Sequence, residues 1–259
     1  MPAKNIMDLT GRVAVVIGAT SGIGRELSIG LAEAGAHVVP TGRRESLVDE
    51  VCTAVEGTGV KSLRHACDIG SRASIDSLRD VVLAEFGQVD ILVNAAGRIF
   101  RKPTVSITEE EWNSLFDTNL TGMLRACQSF KEPLAANGRG RIVNIASLNS
   151  YVALLEVTAY AASKSAALSL TRSLAVEWSK QGINVNAIAP GVFRTELNAG
   201  LLDGTERGRE LKLRTPMGRF GNSKELVGAC ILLASDAASF ITGQCIAVDG
   251  GFLASGVNQ

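Results

Sequence analysis

Short, almost wholly apolar runs alternate with stretches of helical spacing from one end of this chain to the other, and few folds accommodate that order. The runs are 13–18 (VAVVIG), 37–40 (HVVP), 62–68 (SLRHACD), 91–94 (ILVN), 141–147 (RIVNIAS), 184–190 (NVNAIAP) and 245–249 (CIAVD). A strand with one wet face alternates apolar and polar residues, whereas VAVVIG has no polar face and needs cover on both sides. Between the runs, Ile23, Leu27, Leu31 and Ala34 recur at i, i+4, i+8 and i+11, a stripe that lays a helix on a sheet. Residues 74–85, 109–136, 159–180 and 224–235 read the same way, the longest with a bend expected near Pro133. Strands alternating with helices predict an α/β fold with a parallel sheet, right-handed crossovers, helices on both faces and a ligand crevice at the strands' carboxyl ends. No linker, repeat or low-complexity tract divides the sequence, so residues 1–259 are read as one domain. The glycine- and charge-rich stretch 191–222 is too long for an ordinary connection and is expected to be a substrate lid or loop with short helices.

Composition narrows the function. A chain of 259 residues, 46% of them hydrophobic, can bury one large core and needs no second domain. Its 26 basic and 26 acidic residues cancel, so net charge asks for neither nucleic acid nor an anionic membrane. No apolar run reaches the ~18 residues of a membrane span, and the start, MPAKNIMDLTGR, lacks the apolar block of a signal peptide, so a cytoplasmic location is expected. Cys52, Cys67, Cys127, Cys230 and Cys245 show no CxxC spacing and no histidine cluster. They read as small buried hydrophobes in a reducing compartment, and no metal site is expected.

The first run leads directly into GATSGIGRE, with Gly18, Gly22 and Gly24 spaced G-x3-G-x-G around Thr20, Ser21 and Ile23. Glycines let the chain turn tightly and bring backbone N–H groups to a pyrophosphate, and the following helix N-terminus supplies favourable partial charge. This spacing is not G-x-G-x-x-G, and three glycines in a strand-to-helix turn also fit plain turn chemistry. The strand before and the helix after favour a dinucleotide site.

Which dinucleotide turns on the second run. An NAD site usually sets an Asp or Glu roughly 20 residues past the glycines, on the ribose 2′-hydroxyl, whereas arginine meets a 2′-phosphate. VVPTGRRES has Gly42 at the acid's place, then Arg43 and Arg44, which predicts NADP(H) as the preferred cofactor while still admitting NAD(H). Pro40 cannot donate to a ladder and is expected to end its strand. Asp68 and Ile69 close the 62–68 run, where they are placed to flank an adenine ring.

Tyr160 and Lys164 stand at i and i+4 in TAYAASKSAALSLTRSLAVEW, on one face of a helix. Free tyrosine titrates near ~10, too high for a good base at neutral pH, and a nearby ammonium favours the phenolate. Ser147 closes the run 141–147, at the edge where the crevice belongs, and its hydroxyl suits a substrate oxygen that Tyr160 protonates or deprotonates. Asn119, in DTNLTG, offers an amide that holds a water or bends the helix backbone.

In this order and spacing, GATSGIG (18–24), NAAG (94–97), NLTG (119–122), Ser147, YAASK (160–164) and PGVFRT (190–195) resemble the short-chain dehydrogenase/reductase family over nearly the whole chain. The resemblance implies a Rossmann-type doubly wound domain with a parallel seven-stranded sheet, a homotetramer or dimer, and hydride transfer between nicotinamide and a carbonyl or alcohol carbon. It implies Tyr160 as general acid/base, Ser147 as the group orienting the substrate oxygen, Lys164 on the nicotinamide ribose, and Asn119 on the water of a proton relay. It also implies cofactor contacts from Asn94, Ala95, Ala96 and Gly97, and from Pro190, Gly191, Val192 and Thr195. Two positions depart from the pattern: Ile17 replaces a threonine that braces the glycine turn, and Ala95 replaces a second asparagine.

RTELN, RTPMGRFG (214–221) and AVDGGFLASG (247–256) resemble members acting on sugar acids and polyols, gluconate 5-dehydrogenases among them. Arg98, Arg101 and Lys102, just past NAAG, are candidates to pair with a substrate carboxylate, Arg101 above all, or are a basic surface loop. The alternatives are a 3-oxoacyl-carrier-protein reductase, whose basic patch meets an acidic carrier, and a dinucleotide-binding sensor or scaffold without chemistry. The sensor reading calls for a broken Ser, Tyr or Lys position, and all three are retained here.

Overall fold

The computed structural model describes residues 5–195 and 198–258, without the side chain of Leu201. Among them, β1 (Val13–Ile17), β2 (His37–Thr41), β3 (Ile91–Asn94), β4 (Gly140–Ile145), β5 (Ile183–Pro190) and β6 (Cys245–Val248) form one parallel sheet ordered β2-β1-β3-β4-β5-β6. The helices are α1 (Gly22–Glu33), α2 (Glu45–Glu56), α3 (Arg72–Phe86), α4 (Glu109–Phe116), α5 (Gly122–Ala136), α6 (Thr158–Trp178), α7 (Ala199–Leu202), α8 (Glu206–Arg214) and α9 (Val227–Ala234). From β1 the chain steps outward to β2, then returns to β3 on the other side of β1. That reversal opens a crevice between the carboxyl ends of β1 and β3.

Both faces of the sheet are covered, as the apolar runs require. Val13, Val15 and Ile17 face a core built with Ile75 and Leu78 of α3, Phe130 of α5 and Trp178 of α6. Ala14 and Val16 face Leu27 and Leu31 of α1 and Val51 and Val55 of α2. Burying each such Val, Leu or Ile contributes about 1.5–3 kcal/mol, which explains why β1 carries no polar residue.

Two expectations are corrected and one helix is added. The expected seventh strand, 62–68, meets β2 through Val38 N–H donating to Lys61 O at 3.2 Å and an isolated bridge to Ser62. Val38 faces this outer edge, so Pro40, two residues on, faces it too, and there it has no N–H to continue the ladder. The 109–136 helix is interrupted at Asp117–Thr121, a π-helical turn, and runs on through Pro133 to Ala136. Helix α2, which sequence reading passed over, buries Val48, Val51, Cys52 and Val55, an i, i+3, i+4, i+7 stripe.

In the 191–222 stretch, α7 and α8 are the expected short helices, with residues 196 and 197 outside the described residues. Among the described residues no helix is long and apolar enough to cross a membrane.

Candidate active site

A cleft of about 790 Å³ opens at the reversal of strand order. Its walls take Gly18, Thr20, Ser21, Gly22, Ile23 and Gly24 from the β1–α1 turn, Arg43 and Arg44 from beyond β2, and Asp68 and Ile69 from beyond the 62–68 segment. Ala95, Ala96 and Gly97 enter past β3, Ser147 past β4, Tyr160 and Lys164 from α6, and Pro190, Gly191, Val192 and Thr195 past β5. Asn94 is not in this wall. Its amide turns into the core and donates to Asn144 Oδ1 at 2.8 Å and to Cys127 Sγ at 3.4 Å.

The glycine turn is set by close packing as well as by its opening to the cleft. Gly18 has φ +88°, and a Cβ there would stand 2.4 Å from Ala96 N, while a Cβ at Gly24 would stand 2.2 Å from Gly18 O. Gly22 faces the cleft with Thr195 Cγ2, at 3.5 Å, the nearest atom to a would-be Cβ. Ile17 is buried in the core, and the turn is braced by the main chain instead, through Ala95 N–H donating to Ile17 O at 2.9 Å. The groove is thus a cradle of bare backbone at a helix N-terminus, which fits a pyrophosphate.

Arg44 Nη2 reaches from the end of β2 to Thr20 Oγ1 at 3.0 Å and Ser21 Oγ at 3.4 Å, so one arginine bridges the second strand and the glycine turn. Arg43 beside it is exposed. A Cβ at Gly42 would lie 2.7 Å from Thr20 Cγ2, so the position where an acid would sit is closed by the turn itself. These residues fit a phosphorylated ribose.

At the other wall, Ser147 and Tyr160 line the cleft together, and Ser147 Oγ accepts from Asn149 N–H at 3.1 Å. The 3-10 turn that follows Ser147, Leu148–Ser150, is pinned on α6 by Ser150 Oγ donating to Lys164 O at 2.8 Å. Burial pushes the Tyr160 phenol up, with the neighbouring Ser147 hydroxyl opposing, and lowers Lys164 to about 8, which leaves it an ammonium at neutral pH. Lys164 Nζ lies 5.8 Å from the Tyr160 ring centre.

Asn119 sits in the π-helical turn, fully buried behind the wall. Its Oδ1 accepts from Arg98 N–H at 2.9 Å, and its Nδ2 donates to Arg98 O at 3.0 Å and Ser163 Oγ at 3.1 Å. Both amide protons are therefore committed, to the loop past β3 and to α6.

Beyond Ser147 and Tyr160 the cleft continues between Arg98, Arg101, Leu154, Arg207 and Leu211. Arg101 Nε pairs with Glu156 at 2.7 Å, and Lys102 Nζ pairs with Glu111 at 2.7 Å, outside the cleft wall. Leu154 and Arg207 carry no motif, and only the lid assignment of 191–222 pointed towards Arg207, whereas Asn198, also in the wall, closes RTELN.

Fold and site together define a dinucleotide-dependent oxidoreductase, and known proteins make the class specific. A family model described as enoyl-(acyl carrier protein) reductase matches residues 18–253. The 2-dehydro-3-deoxy-D-gluconate 5-dehydrogenase of Dickeya dadantii is 38% identical over 251 residues, 96% of this chain and 98% of that protein. The gluconate 5-dehydrogenase of Gluconobacter oxydans is 36% identical over 255 residues, 98% of this chain and all of that protein. The crystal structure of a gluconate 5-dehydrogenase from Burkholderia cenocepacia in complex with NADP and tartrate superposes with a TM-score of 0.93 at 37% identity, covering 97% of this chain and 98% of that one. The chain belongs to the short-chain dehydrogenase/reductase family, and it is an NAD(P)-dependent enzyme acting on CH–OH groups.

Proposed function

We propose that this enzyme interconverts a secondary alcohol and a ketone on a sugar acid of the gluconate/5-ketogluconate type, with NADP(H) as the preferred cofactor. The observation that carries this reading is Arg101, a guanidinium lining the same cleft as Ser147 and Tyr160. A carboxylate at the far end of a polyhydroxy chain is the natural partner for it. The names of the relatives support the same substrate class, and the NADP in the Burkholderia complex supports the cofactor.

A bound nicotinamide cofactor would supply the hydride chemistry at the substrate carbon. Ser147 holds the substrate oxygen by its hydroxyl. Tyr160 gives that oxygen a proton in reduction and takes one in oxidation, in the manner of a positioned general acid/base. Lys164, charged at neutral pH and 5.8 Å from the Tyr160 ring centre, is the cation placed to favour the phenolate, and it would bond the nicotinamide ribose. Asn119 acts as a brace, holding the loop past β3 against α6, with its remaining carbonyl lone pair available to a relay water. Gly18–Gly24 would cradle the pyrophosphate, Arg43 and Arg44 would meet the 2′-phosphate, and Asp68 and Ile69 would flank the adenine. The main chain at Asn94–Gly97, with Pro190, Gly191, Val192 and Thr195, lines the nicotinamide end.

A homotetramer is the proposed assembly. Val176 on α6 and Phe240 are large apolar side chains with 81% and 102% relative exposure, as expected of surfaces covered by another subunit.

Initial rates across sugar acids, polyols and 3-oxoacyl thioesters, each with both cofactors, test the proposal. Highest kcat/KM on a sugar acid with NADP(H) supports it; highest kcat/KM on a thioester replaces it with carrier-protein chemistry.

A further inference from the structure

The substrate end of the cleft holds more positive charge than its own carboxylates neutralise. Arg101 has Glu156 at 2.7 Å. Arg207, on the first turn of α8, lines the same cleft and donates Nη1 to Leu155 O at 3.1 Å. No carboxylate among the described residues stands within ion-pair distance of it. Arg98, the third arginine there, is exposed and turned to Ser114 Oγ at 2.8 Å.

Arg207 is also badly placed for its own helix. A cation in the first turn faces the positive end of the helix dipole, so α8 gains nothing electrostatically from it. Burial and the charge of Arg101 both weigh against its protonated form, with Glu156 and Glu210 offsetting part of that. The cleft around it is walled by Leu154, Leu202 and Leu211, whose low polarity strengthens any charge pairing inside. Two guanidiniums with a single carboxylate, Glu156 on Arg101, leave the Arg207 fork open to a second carboxylate.

We propose that Arg207 is a specificity-determining residue which, with Arg101, receives the carboxylate of the substrate at the end remote from Ser147 and Tyr160. The inference rests on the sugar-acid reading above and assigns that reading a residue from the lid. Because Arg207 also holds Leu155 O, it joins the 191–222 stretch to the loop leading into α6. Binding of an acid therefore ties the lid to the helix that carries the acid/base, whereas an uncharged polyol leaves that tie unaided.

D-gluconate and D-glucitol differ only in carboxylate against hydroxymethyl, so the ratio of their kcat/KM values isolates the recognition. In Arg207→Gln that ratio is expected to fall about 10- to 100-fold, the scale of a lost charged hydrogen bond. Arg207→Lys keeps the charge without the planar fork and should recover part of it. Equal losses on gluconate and glucitol in a variant of unchanged thermal midpoint overturn the inference, since they mark a purely structural role. Arg207→Met, which keeps the length of the stem, gives the same readout if the Gln variant does not fold. A parent enzyme without any preference for gluconate over glucitol removes the sugar-acid reading itself, whereas a preference that survives in Arg207→Gln removes only the role of Arg207.

Discussion

Lys164 Nζ donates to the main-chain oxygen of Ile145 at 2.6 Å, two residues before Ser147 on the same strand exit. The lysine that stands four residues from Tyr160 thus also fastens α6 to the strand end that presents the serine. Two of the three reacting-site side chains take their relative position from the third.

Burial of that ammonium leaves a mark on stability. Lys164 is lowered from 10.5 to about 8 by desolvation, so below pH 8 both folded and unfolded chains are charged here and the cost of burial is felt in full. Between pH 8 and 10.5 the unfolded chain keeps a proton that the folded chain has released, and this group's contribution makes the fold more stable as pH rises. Urea midpoints of the parent and of Lys164→Met should therefore diverge in the parent's favour across that window. A difference independent of pH contradicts the burial of a charged lysine.

The glycine turn offers a paired test of close packing. Gly18→Ala adds about 1–2 kcal/mol for left-handed backbone and about 1–3 kcal/mol of overpacking against Ala96. Gly138→Ala, at φ +62° with nothing within 4 Å of its Cβ, carries the backbone cost alone. Thermal melts should rank Gly18→Ala well below Gly138→Ala, and only the former should lose cofactor binding. Equal shifts would mean that the β1 turn does not need its approach to β3.

Cofactor choice is tested on Arg43 and Arg44. Replacing both by Ala should lower kcat/KM with NADP(H) about 10- to 100-fold relative to NAD(H). Arg44 also holds Thr20 and Ser21, so a smaller loss common to both cofactors is expected, and the ratio is the measure. An unchanged ratio removes the 2′-phosphate role.

The strand–helix order, the glycine turn and the Ser147, Tyr160, Lys164 set were legible in the sequence because each is a local pattern with a fixed spacing. The seventh strand was misread because SLRHACD has the composition of a strand, while Pro40, on the neighbouring strand, decides that the ladder stops. Helix α2 carried a clear stripe, yet its valines resemble strand residues and its N-cap, Arg44, caps none of the helix's N–H groups with its side chain. The π-helical turn around Asn119 has no sequence period of its own. Arg207 was invisible for another reason: its meaning lies in the charge of Arg101 and Glu156, more than 50 residues away along the chain.

Most direct is the rate of Tyr160→Phe with NADP(H) and the parent's best substrate, measured together with NADPH binding. Loss of about 100- to 10,000-fold in kcat is expected, with cofactor affinity nearly unchanged, because only the transferable proton has been removed. A Tyr160→Phe enzyme that turns over as fast as the parent contradicts Tyr160 as the acid/base.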